Sequence, residues 1–271
     1  MARPAISRSQ LVADLRALGP LEGAVVLVHA RMSALGWVVG GSGTVVSALL
    51  EALGPDGTVL AYASWEEHVY QAKEWPREHR AAYVAEPPVY DPATAEACRD
   101  HGRIPERVRT WPGAHTSAHP EASVVAVGRL ARELTEDHPQ TDGYGPDSPF
   151  GRLVAASGKV LMLGAPLDTV TLLHHAEAIA TAPGKRMVTF EIPVVTAGGV
   201  ESRTYTDIDT TLGAYRYEDL DLPGDEFTAI ATAALEAGIG VTGPVGAATC
   251  HLFPAPELVR FGVDWIDARF T

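Results

Sequence analysis

The stretch DTVTLLHHAEAIA, residues 168–180, carries two adjacent histidines and a glutamate on an otherwise apolar helical pattern. Imidazole and carboxylate groups are costly in an apolar setting unless satisfied, so this side of the helix lines water or something reactive. On a wheel of about 100° per residue, Leu172, Ala176 and Ile179 share one side, whereas Thr171, His174, His175 and Ala178 share the other. Glu177, three positions after His174, lies beside it and is placed to hold the imidazole. A second acidic element, TDIDT, sets Asp207 and Asp209 two apart. On a strand both carboxylates would face one side, which calls for a cation, a metal or a histidine nearby.

The hydrophobic pattern predicts the frame for these groups. SRSQLVADLRAL, residues 7–18, opens with a Ser-x-x-Gln capping box and reads as an amphipathic helix. AVVLVHA, residues 24–30, is a continuous apolar run typical of a sheet covered on both faces. A glycine-rich loop, the helix TVVSALLEALG and the strand TVLAYA follow, and this order implies a βαβ unit. Residues 64–112 break the pattern and read as an insertion or lid, with a helical segment near 93–109. Alternation returns with ASVVAVG as strand, SPFGRLVAAS as helix, KVLMLG as strand and then the histidine-bearing helix. That helix therefore follows the carboxyl end of a strand, where open α/β sheets keep their ligands. Two β-rich runs around Ala197-Gly198-Gly199 predict a hairpin, and helix, strand and closing helix complete the chain. The fold class is α/β: one domain over residues 1–271, with a mainly parallel central sheet flanked by helices and a C-terminal hairpin and helix portion.

Composition bounds the partners. The chain has 271 residues, 46% hydrophobic and 20% charged, enough to bury a large core, and its formal charge is −13. That charge disfavours nucleic acid, whose phosphates are bound through Lys and Arg, and would attract a polycation. No apolar run approaches the ~20 residues of a membrane helix, and MARPAISRSQLVADL lacks a signal-peptide core, so a cytoplasmic location is expected. Cys98 and Cys250 are too few for a disulfide framework and read as buried thiols.

Familiar signatures are missing. There is no Gly-x-Ser-x-Gly elbow, Walker loop or His-Glu-x-x-His pair. QTDGYG, residues 140–145, matches the pyrophosphate loop of the common acetyltransferase superfold. It follows a polar run and precedes Pro146-Asp-Ser-Pro149, so it reads as a solvent-facing turn.

Taken together, LVHARMSALG, LGPDGTVLAYASWE, SAHPEAS, GYGPDSPFGRLV, KVLMLGAPLDTVTLLHHAEAIA and TDIDT resemble the aminoglycoside 3-N-acetyltransferase family, over residues 7–270. The resemblance implies a fold distinct from the common acetyltransferase superfold and acetylation of the 3-amine of a deoxystreptamine ring, with acetyl-CoA as co-substrate and no metal. His174 matches the family histidine, Asp207 and Asp209 its acidic pair, and Glu177 its following glutamate. The likeness further implies coenzyme A contacts from His29, Ala30, Arg31, Met32, Ser33 and Ala34, from Ser117, Ala118 and His119, and from Ser148 and Thr171. The chain departs from the family pattern at Ala30 and Asp207, where relatives carry Ser and often Glu.

On this reading His174 is a general base for an amine, oriented by Asp209 first and by Asp207 or Glu177 next. Glu66, Glu67, Asp168 and His175 would bind the sugar's remaining polar and cationic groups. The glycine-rich loop leading to the helix near Thr44 would offer N–H groups to coenzyme A phosphates. The protein is expected as a monomer or homodimer. Two alternatives stay open: a metal-dependent hydrolase using His174, His175 and the acidic pair, and a non-catalytic binder of cationic sugars.

Overall fold

The computed structural model describes residues 4–65 and 75–271. The chain order is β1 (Ala5–Ile6), α1 (Arg8–Leu18), β2 (Val25–Ala30), β3 (Trp37–Val38), α2 (Gly41–Leu53) and β4 (Thr58–Tyr62). There follow α3 (Arg77–Ala85), α4 (Arg103–Arg109), β5 (His115–Thr116), β6 (Val124–Gly128), α5 (Ala131–Thr135), α6 (Pro149–Ala155), β7 (Lys159–Leu163) and α7 (Leu172–Ile179). The chain ends with β8 (Met187–Thr196), β9 (Gly199–Ile208), α8 (Glu226–Glu236), β10 (Val241–Val245), β11 (Ala248–Pro254) and α9 (Ala255–Asp267).

Among the described residues, seven strands form the main sheet in the order β10-β11-β7-β2-β4-β6-β5. In this sheet β7, β2 and β4 pair in parallel, whereas β11, β10, β6 and β5 are added through antiparallel pairings. The α/β class and the helices on both faces hold, but the parallel part is smaller than the sequence implies. The reason is visible at ASVVAVG: a strand buried on both faces is continuously apolar whichever way it runs, so its pattern carries no direction.

Alternating side chains of the central strands feed two cores. Leu27, Leu60, Val124 and Met162 pack with α6, α7, α8 and α9 on one face. Val26, Val28, Val59 and Leu161 pack with α1, α2 and α4 on the other. The N-cap half of the expected capping box is present, with Ser7 Oγ accepting from the Gln10 N–H. Hairpin β8–β9 stands apart from the main sheet, and its Ile192, Val194 and Tyr205 pack with Trp65 and Tyr90. Residues 64–112 therefore divide. Tyr90 bonds Pro193 and Val195 of the hairpin through backbone groups, whereas Ile104 and Val108 of α4 enter the sheet core. The helix expected near 93–109 is confined to α4 and a short 3-10 turn at Arg99–His101.

Candidate active site

A cleft of about 630 Å³ opens at the carboxyl ends of the parallel strands. Its walls are the residues after β2 (His29, Ala30, Arg31, Met32, Ser33), the stretch entering α4 (Asp100 to Arg103) and the segment between β7 and α7 (Ala165, Pro166, Asp168, Thr169, Thr171). Tyr62, His174, Thr210 and Phe227 also line it. This is the crevice that an open sheet with parallel centre strands leaves for ligand.

His174 keeps 18% of its side chain exposed and is held from behind, with Nδ1 2.7 Å from Glu177 Oε2. Glu177 is fully buried, and its Oε1 accepts the Tyr217 hydroxyl at 2.8 Å. Both carboxylate oxygens are thus engaged, as burial of a carboxylate demands. The imidazole is gripped between Phe227, edge-on at 4.7 Å, and Tyr144 at 5.1 Å. With Nδ1 facing a carboxylate, Nε2 is the nitrogen left to exchange a proton with a ligand. Asp168, on the same cleft, has its carboxyl raised above the usual range by burial and then by neighbouring Asp225.

Several expected site residues lie elsewhere. His175 is buried, with Nδ1 2.7 Å from the Tyr144 carbonyl; that carbonyl can only accept, so Nδ1 carries the proton. Consecutive helix positions diverge by about 100°, and here the turn carries His175 into the core side instead of the cleft. The expected same-face pairing of Asp207 and Asp209 fails because β9 ends at Ile208. Asp207 is buried, accepting the Gly143 N–H through Oδ1, with Oδ2 3.1 Å from His119 Nε2, close but not aligned as a hydrogen bond. Ala122 N–H donates to His119 Nδ1, so the neutral ring carries its proton on the nitrogen facing Asp207. Asp209 Oδ1 caps the following turn by accepting from the Thr211 and Leu212 N–H groups. The acid that orients His174 is therefore Glu177, and neither aspartate is its partner.

The coenzyme contacts implied by resemblance also divide. Residues 29–33 and Thr171 line the cleft. Ala34 instead packs against the core, and Ser117 is buried with its Oγ between the Val124 N–H and His138. Ser148 caps α6, accepting from Gly151 N–H and donating to the Gly145 carbonyl at 2.6 Å. His119 belongs to the Asp207 contact, and Ala118 is exposed away from the cleft lining. Glu66 and Glu67 lie outside the described residues. The QTDGYG turn is half-buried, not solvent-facing: Gly143 and Tyr144 bind Asp207, His138 and His175 and deliver the Tyr144 ring to His174. Tyr217, Tyr144 and Phe227 were not legible as site residues, because aromatic residues near apolar runs read as core.

Three histidines, His138 and His175 in the interior and His29 at the cleft wall, give the fold an acid limit. Burial, then His101, pushes His29 down to about 3. Burial likewise lowers His138 and His175 below the ordinary value. Each folded pKa lies below its unfolded value near ~6.5, so the unfolded chain binds the extra protons. Stability is complete above that value and falls as pH drops through it, by up to about 1.4 kcal/mol per pH unit for each histidine. Chemical denaturation between pH 7.5 and 5 should show midpoints declining steadily from about 6.5; a flat profile would contradict this.

Comparison with known proteins follows the geometry. The family model described as aminoglycoside 3-N-acetyltransferase matches residues 27–267. The chain is 52% identical over 265 residues to aminoglycoside N(3)-acetyltransferase VIII of Streptomyces fradiae, covering 97% of this chain and 93% of that protein. Among solved structures it is similar to aminoglycoside acetyltransferase AAC(3)-Xa, with 46% identity and a TM-score of 0.93, covering 98% of this chain and 94% of that one. It is also similar to AAC-IIIb, solved as a binary complex with CoASH, at 43% identity and a TM-score of 0.89, covering 98% of each chain.

Proposed function

The chain belongs to the aminoglycoside 3-N-acetyltransferase family, and from that premise we propose direct transfer of acetyl from acetyl-CoA to the drug's 3-amine, with His174 as general base. The observation that carries the reading is the His174–Glu177 contact of 2.7 Å at the wall of the cleft. An amine attacks only through a free lone pair, so a proton must leave the substrate ammonium near neutral pH. His174 Nε2 takes that proton, and the ionised Glu177 steadies the resulting imidazolium through Nδ1–H. The amine nitrogen then bonds to the thioester carbonyl carbon, the carbon–sulfur bond breaks, the imidazolium returns its proton to the departing thiolate, and the attacking nitrogen loses its second proton to water as the neutral amide forms. No charge is left uncompensated in the buried wall.

The cleft offers groups of both signs for two different substrates. Arg31 and Arg103 would meet coenzyme A phosphates. The start of α2 lies outside the cleft lining, and the Arg107 guanidinium sits against Gly43 there. It would extend the positive track with its N–H groups. Asp168 and Asp100 would take the ammonium groups of the sugar, with Glu66 and Glu67 as further candidates. Acetylation converts one ammonium to a neutral amide, and loss of that charge is the basis of resistance.

The metal-hydrolase alternative needs His174, His175 and both aspartates at one point, whereas His175 bonds the Tyr144 carbonyl and buried Asp207 accepts the Gly143 N–H. The test is a thiol-release assay with acetyl-CoA and a panel of aminoglycosides. Saturable release is expected with a free 3-amine and at least about 10²-fold less when that amine is blocked. Equal release from blocked and free substrates would overturn the assignment.

A further inference from the structure

We infer that Tyr217 is a positioning residue for acetyl transfer: its hydroxyl fixes the charge and orientation of Glu177, which in turn holds His174. Tyr217 is buried, and its hydroxyl donates to Glu177 Oε1 at 2.8 Å while His174 occupies Oε2 at 2.7 Å. Tyr217, Glu177 and His174 thus form one line from the interior to the cleft. The ring is seated by three contacts. Phe270 meets it edge-on at 5.4 Å and Tyr215 at 6.2 Å. Gly213, at φ +79°, lies so close that a Cβ there would fall 2.9 Å from Tyr217 Cδ2. A left-handed glycine pressed against the ring leaves little room for the hydroxyl to swing away from the carboxylate.

The direction of the effect follows from hydrogen bonding. A donor on Oε1 draws charge from the carboxylate and favours its ionised form; without it, the Glu177–His174 pair holds protons more tightly. The other groups facing this pair are Glu226 on α8, which repels added negative charge, together with Lys185 and Tyr215. Lys185 donates to the Ala178 and Ala180 carbonyls and so is anchored near the end of α7. Burial, then Glu177, raises the Tyr217 hydroxyl far above its ordinary value, so it remains a donor over the whole working range.

This inference rests on His174 acting as the base, and the test separates the two. Tyr217→Phe keeps the ring and removes the hydroxyl. The acid limb of its kcat/KM profile should move up by about one pH unit, with kcat about tenfold lower at neutral pH and KM for acetyl-CoA within twofold. In a Glu177→Gln background the same change should cost less than about twofold, because the group it acts through is gone. The downfield proton signal of His174 Nδ1–H should also shift in Tyr217→Phe, whether or not His174 is the base. A shifted signal with an unmoved profile would fault the base assignment and leave the contact standing. The inference is overturned by an unchanged signal, or by equal losses in the wild-type and Glu177→Gln backgrounds.

Discussion

His174→Ala should lower kcat by about 10² to 10⁴ at neutral pH, the usual cost of losing a general base. Binding of acetyl-CoA should change far less, because the loop from His29 to Ser33 and the arginines that line the cleft are untouched. The substitution also removes the donor to Glu177 Oε2, leaving a buried carboxylate with Tyr217 on one oxygen only. That costs about 1–3 kcal/mol, roughly 2–10 °C in melting temperature for a chain of this length. Rates measured well below that midpoint isolate the chemical effect. Retention of more than about a tenth of wild-type kcat would remove His174 from the base role. Glu177→Ala should cost about tenfold or more in kcat, since the imidazole loses both alignment and a counter-charge. Asp209→Ala should leave kcat within about threefold, because Asp209 serves the turn at Thr211 and Leu212.

Asp207→Ala acts on a different quantity. Its carboxylate links strand β9 to the Gly143 backbone and to His119, all buried. Removing it leaves the buried Gly143 N–H without its acceptor, which costs about 1–3 kcal/mol, so a melting temperature lower by roughly 2–12 °C is expected. Asp207→Asn keeps an oxygen for the Gly143 N–H and should recover a good part of the loss. The chemical step is reached only indirectly, through the Gly143-Tyr144 turn that sets the Tyr144 ring against His174. Normal thermal stability in Asp207→Ala would contradict this account.

The contrast between these two variants measures how far the sequence could be read. His174 and Glu177 were legible because helix periodicity alone puts positions three apart side by side. The strand, loop and helix order likewise gave the cleft its location, since ligand sites follow parallel strands at their carboxyl ends. What was hidden depends on where elements stop and how they dock. The pairing expected of Asp207 and Asp209 assumed a strand through position 209, and β9 ends at Ile208. His175 reads as a second cleft histidine, but its Nδ1–H donates to the Tyr144 carbonyl, 31 residues away in sequence. Tyr217 reaches Glu177 across 40 residues, and no local spacing encodes such a contact. Strand direction was equally invisible, because ASVVAVG buries both faces whether it runs with β4 or against it.

Placing His174 and Glu177 on a single eight-residue helix has a mechanical consequence. Their spacing is dictated by helical pitch, not by how remote segments happen to settle against one another. A slip in the hairpin or a loosened chain end would disturb the accessory braces yet leave the His174–Glu177 contact intact. The enzyme can therefore drift in its outer architecture, across variants or on warming, and lose turnover by degrees instead of all at once.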